Sequence, residues 1–210
     1  MESLISITTA LILLTSFVFL MQNRINNMIH TFMWQSILLS IVILLQAIKT
    51  AETELYISML ITVVLKVIFV PYLLRSFVIK LNIRHDVTEI KRPFLLLVGA
   101  AGLVLFCYHL IIPINSNTIA VAMSVMLLGM LLLITHSNAI SNVIGFMSME
   151  NGISFAALIA TKGMPMAVEF GIAFDVLIAA ILFGVFFLQL RKNIDSLDVN
   201  RLNLLREDEL

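Results

Sequence analysis

Long apolar runs separated by short polar breaks leave this chain one kind of fold. Seven runs, at about 3–21, 28–48, 54–79, 94–112, 117–136, 139–161 and 167–190, are long enough to cross a bilayer as helices, which takes roughly 20 mostly apolar residues each. In hydrocarbon every backbone N–H and C=O needs an internal partner, so such runs are helices and not loops. The expected fold is an all-α membrane protein, a bundle of about seven transmembrane helices. Residues 1–190 form the membrane domain and residues 191–210 a polar tail. The balance of residues agrees, with 60% hydrophobic and 12% charged, where soluble domains carry about 25% charged. The first run is read as a retained span, because Glu2 stands where a signal peptide has a basic region. The final EDEL is read as an acidic end and not as a lumenal retention address.

Basic residues set the expected orientation. With the loops numbered by the spans they join, one side holds Arg24, Arg75, Lys80, Arg84, Lys91, Arg92, Arg191, Lys192, Arg201 and Arg206. The other side holds Lys49 and Lys162. This asymmetry places the N-terminus outside and the C-terminus in the cytoplasm, and it needs an odd number of spans.

Several functions are excluded early. The net charge is zero, so there is no basic footprint for nucleic acid. A single cysteine, Cys107, allows no internal disulfide and no Cys-rich metal site. No phosphate-binding loop, dinucleotide fingerprint, HExxH or CxxC occurs, so neither a cofactor nor a metal is expected. A retinal protein is rejected, because the only mid-span lysine lies in the third span. His30, His85, His109 and His136 sit near span ends or in the basic loop and are expected at the interface or in water. His136 is also a candidate proton entry or exit near the cytoplasmic surface. Trp34, Gln35 and Gln46 are read as packing and interhelical hydrogen bonds.

Three charges cannot be moved to a helix end: Lys66 in MLITVVLKVIFVPYLL, Glu150 in GFMSMENGIS and Asp175 in AVEFGIAFDVLIAAILF. Glu169 begins the last span and is placed at the interface. A central charge costs about 2.5–3.5 kcal/mol on insertion scales, so such residues pair or handle ions. One reading is a buried ion pair that fixes packing, although such pairs stabilise little. The other is a proton relay at mid-membrane depth through Lys66, Glu150 and Asp175, with Glu169 and His136 towards its ends. Ser141, Gly145, Ser148 and Gly152 share a stripe opposite Glu150 at about 100° per residue, and small residues let another helix approach closely. Asn142 and Asn151 add polar groups able to hold water or bond across helices. Pro71 is expected to kink the third span and leave the Val67 carbonyl unpaired beside Lys66.

NVIGFMSMENGISFAALI, EFGIAFDVLIAAILFGVFFLQLRKNIDSLDVNRLNLL and LKVIFVPYLL resemble the hydrogenase-4 component E family. The last two spans are also similar to the K subunit of respiratory complex I and the C subunit of Mrp antiporters. The resemblance implies a membrane-arm subunit of a group 4 [NiFe]-hydrogenase or formate hydrogenlyase complex in the cytoplasmic membrane of a prokaryote. It implies as partners antiporter-like membrane subunits and the quinone- or hydrogenase-proximal membrane subunit, within the lipid bilayer. Two glutamates serve the proton path of the K subunit. Glu150 matches the first, and the second falls within one turn of Asp175. Lys66 belongs to the component E half. The rival readings are a membrane scaffold whose charges fix assembly and a cation/proton antiporter, either as a subunit or alone.

Overall fold

The structure, a computed structural model, describes residues 2–80, 93–112, 117–136, 139–160 and 181. Its helices are α1 (Glu2–Met21), α2 (Ile25–Thr50), α3 (Thr53–Thr62), a π-helical segment (Val63–Phe69), α4 (Val70–Lys80), α5 (Pro93–Ile111), α6 (Asn117–Thr135) and α7 (Ala139–Ala160). The third span is α3, the π segment and α4 run together. Six helices among the described residues are long and apolar enough to cross a membrane, and they follow the first six runs of the sequence closely. Apart from position 181 the seventh run, with Glu169 and Asp175, lies outside the described residues.

The hairpin between α1 and α2 turns through Gln22 and Asn23, where the Gln22 amide bonds the Phe19 carbonyl at 3.1 Å. The α2 helix stops at Ala51, which takes a left-handed conformation (φ 58°, ψ 26°) and closes its amide on the Ala47 carbonyl at 2.8 Å. Glycine occupies such a cap without the steric cost that a Cβ brings. Ala51→Gly is therefore expected to raise the stability of the solubilised protein by about 0.5–1 kcal/mol, read as a higher melting temperature. Nearby, the exposed Lys49 and Glu2 pair at 2.7 Å and tie the end of α2 to the start of α1.

The α2 helix is the hub. It packs against α1, α3, the π segment, α4 and α7, while α6 packs against α1, α5 and α7. The α5 helix is peripheral and presents Phe94, Leu95, Leu105 and Phe106 outward, as a lipid-facing helix does. Between α6 and α7 the contact is close enough to involve backbone. Met126 faces Gly152, Gly129 faces Met149 and Leu133 faces Gly145, three steps along two antiparallel helices. The expected small stripe therefore packs as read, with its glycines on α6. Ser141, on the same stripe, instead donates to Met28 Sδ on α2 at 3.5 Å.

Two apolar cores fill the bundle. One gathers Phe19, Phe32, Val70, Leu132, Ile144 and Met147, among others. The second gathers Ile12, Leu39, Leu55, Val125 and Phe155, among others. On α1, α2, the third span and α7 the residue numbers of the two cores leave a gap. Ser16, Gln35, Ser36, Lys66, Glu150 and Asn151 fall in that gap, all of them buried. The fold thus places one polar layer at mid-span between two apolar ones.

Candidate functional site

The polar layer is built around Lys66, which is 1% exposed. It sits in the π segment, where the Val70 amide reaches back five residues to the Leu65 carbonyl. Pro71 follows at once. A proline has no amide to give and crowds the preceding turn, so the helix upstream adopts a wider register. The sequence suggested a kink with a free Val67 carbonyl. The structure instead absorbs the proline in a π turn, and this turn carries the lysine. Val64 and Ile68, two residues to either side, point outward.

Lys66 Nζ forms an ion pair with Glu150 Oε2. It also donates to Asn151 Oδ1 at 3.0 Å. Glu150 is 2% exposed, and its other oxygen accepts from Ser154 Oγ at 2.6 Å, one turn along α7. Asn151 continues the layer. Its Nδ2 donates to Gln35 Oε1 at 3.2 Å and to Ser36 Oγ at 3.4 Å, both on α2. Gln35 Nε2 in turn donates to Ser16 Oγ on α1 at 2.9 Å, and Ser16 donates to the Ile12 carbonyl at 3.1 Å. Four spans therefore meet in one hydrogen-bonded chain. A buried ion pair persists when its remaining lone pairs and protons find partners, and here they do. A paired ammonium and carboxylate that share a buried layer with neutral amides and hydroxyls form a unit able to hold or pass a proton.

The other expected residues divide into two groups. Glu169 and Asp175 lie outside the described residues. His136 does not sit in the polar layer. It follows the end of α6 at Thr135 and is 2% exposed, which corrects its reading as a solvated interfacial group. Its Nδ1 lies 3.2 Å from Thr135 Oγ1, and Nε2 has no partner among the described residues. Burial pushes this imidazole below its ordinary value, against a smaller opposing effect of the Gln22 and Leu132 backbone. Trp34 is also corrected: it is 62% exposed and faces outward, while its neighbour Gln35 is fully buried. Among the described residues no group of three His, Cys, Asp or Glu side chains is placed to hold a metal.

Sequence reading found Lys66, Glu150, Asn151 and Gln35 but missed Ser16, Ser36 and Ser154. Ser154 was legible, since a hydroxyl four residues after a buried carboxylate lies on its face. Ser16 and Ser36 were not, because serines in spans usually bond their own helix backbone, as Thr8 and Thr9 do here.

Comparison with known proteins adds the family context. Over 150 residues the chain is 29% identical to hydrogenase-4 component E of Escherichia coli, covering 67% of this chain and 68% of that one. The chain is similar to hydrogenase-4 component E. The corresponding protein of Shigella flexneri matches to the same extent. An uncharacterized Mycobacterium tuberculosis protein, Rv0085, is 26% identical over 204 residues, 93% of each chain. No family profile and no solved structure matches the chain.

Proposed function

We propose that this protein is a membrane subunit of a hydrogenase-type complex, in which its mid-span charges take part in proton translocation driven by redox chemistry elsewhere. The observation that carries this reading is the buried Lys66–Glu150 pair at the level where the two apolar cores part. Its similarity to hydrogenase-4 component E supports the setting. The wider assignment rests on the resemblance of the last two spans to the complex I K subunit. It names a cytoplasmic membrane, antiporter-like neighbours and a hydrogenase- or quinone-proximal neighbour.

Asp175 and Glu169 complete the proposed path. In the run 139–161, Glu150 lies eleven residues before the end. In the run 167–190, Asp175 lies eight residues in. At about 1.5 Å per residue the two carboxylates stand at similar depth if that run returns as a helix. His136 is placed at the cytoplasmic end as an entry or exit group.

A scaffold reading has its own support, because the ammonium and both carboxylate oxygens of the pair have partners. Glu150→Gln separates the two. It keeps the shape and the hydrogen bonds but removes the titrating group. Proton uptake by everted membrane vesicles, followed with a pH-sensitive acridine dye, is expected to fall at least tenfold, with the complex assembled as judged by native electrophoresis. Undiminished proton uptake would sink the translocation reading. Failed assembly, or native uptake with the complex intact, would favour the scaffold.

A further inference from the structure

The hydrogen-bond chain behind Lys66 has a fixed direction, and that direction is set at its far end. The Ile12 carbonyl only accepts, so the single Ser16 hydroxyl proton is spent on it. Ser16 Oγ is then an acceptor, and Gln35 must turn its Nε2 towards it. This leaves Gln35 Oε1 facing α7, so Asn151 must present Nδ2. Both Asn151 N–H groups are taken, one by Gln35 and one by Ser36. Asn151 Oδ1 is left pointing at Lys66 Nζ. Amide oxygen and nitrogen are hard to tell apart by shape alone, but reversing either amide here would set acceptor against acceptor.

We propose that Ser16, Gln35 and Asn151 are positioning residues, an oriented chain that holds Lys66 as a hydrogen-bond donor and closes the α1 side of the site to protons. The inference rests on the translocation reading. An ammonium with three N–H groups and no lone pair suits a layer that offers it a carboxylate and an amide oxygen. Neither the Glu150 carboxylate nor the Asn151 oxygen can donate to the lone pair of a neutral amine. Primary amides neither take up nor release protons in the working range of proteins, so a proton on Lys66 has no onward route through Asn151 and Gln35. On the other side Glu150 offers exchange, since its outer oxygen meets the Ser154 hydroxyl, a group that both donates and accepts. Phe146 and Ile153, one turn to either side of Glu150, are 36% and 40% exposed, while Glu150 itself is buried. Among the described elements, α7 brings Glu150 to Lys66, while the middle of α2, which packs on the π segment, carries no ionisable residue.

The test uses the complete complex in everted vesicles and reads protons moved per electron transferred. Ser16→Ala removes one hydroxyl that touches neither charge. It is expected to lower the ratio about threefold, and Ser16→Thr to restore it, since a threonine hydroxyl makes the same bond to the carbonyl four residues back. Gln35→Met keeps the bulk but lets Asn151 turn, and a drop of about tenfold is expected, the size of a lost charge-assisted bond. If Ser16→Ala and Ser16→Thr lower the ratio alike, the effect is packing and the inference is overturned. It is equally overturned if Ser16→Ala and Gln35→Met both keep the native ratio while Glu150→Gln abolishes it. That result leaves the translocation reading standing, whereas a native ratio in Glu150→Gln removes the reading itself. Should Gln35→Met fail to assemble, the Ser16 pair still decides.

Discussion

Lys66→Met is expected to destabilise the protein by about 3–5 kcal/mol, because it strands a carboxylate in an apolar bundle. Glu150 is 2% exposed, and besides Lys66 it meets a single hydroxyl and no other cation among the described residues. Methionine fills the space of the lysine stem, so the loss is electrostatic and not a cavity. The double variant Lys66→Met with Glu150→Leu is expected to recover most of the stability, since it removes both charges together. Thermal unfolding of the detergent-solubilised chain measures all three proteins. The idea fails if Lys66→Met melts with the native protein, or if the double variant is no better than the single. The recovered double variant is still expected to move no protons, which would separate what the pair does for the fold from what it does for function.

Gly152→Val is the second large effect. A Cβ at Gly152 would meet the Met126 backbone nitrogen and stand 2.7 Å from its Cα. Backbone in the middle of a helix cannot turn aside as a side chain does, so α6 and α7 must separate. Overpacking of this kind costs about 1–3 kcal/mol. Gly152 is also two residues from Glu150, so the shift carries the carboxylate away from Lys66, and proton uptake is expected to fall along with the melting temperature. Gly99→Ala and Gly102→Ala on α5 are the controls. Nothing stands within 4 Å of an added Cβ at either site, and alanine favours a helix over glycine by about 1 kcal/mol. Equal melting temperatures for Gly152→Val and these controls would mean that the close α6–α7 contact does not hold in solution.

Both predictions draw on features that were partly visible in the sequence. The apolar runs place six helices within a few residues, because length and hydropathy alone decide what crosses a bilayer. The glycine and serine spacing gives the packing side of α7, since helical periodicity fixes which residues share a face. The charges of Lys66 and Glu150 stand out because insertion makes them expensive. The π turn was not legible. A proline in a span reads as a kink, and whether the helix breaks, bends or widens depends on what the neighbouring turn must reach. His136 was misread for a related reason. Its place at the end of a run suggested water, but the folded chain buries it, and sequence distance says nothing of such cover.

The sequence by itself determined the class of fold, the number and place of the helices described, and the identity of the groups that must not face lipid. Each of these follows from a local cost of transfer, which a residue carries wherever the chain goes. Only the tertiary structure decided that Lys66 meets Glu150 and Asn151. Those contacts join residues 84 and 85 positions apart, and their geometry depends on the rotation of two helices about their own axes. It also decided that a serine on α1, 19 positions from Gln35, sets the direction of the chain that ends at the lysine. A hydroxyl in a span costs little and says little, until the fold shows which atom it faces.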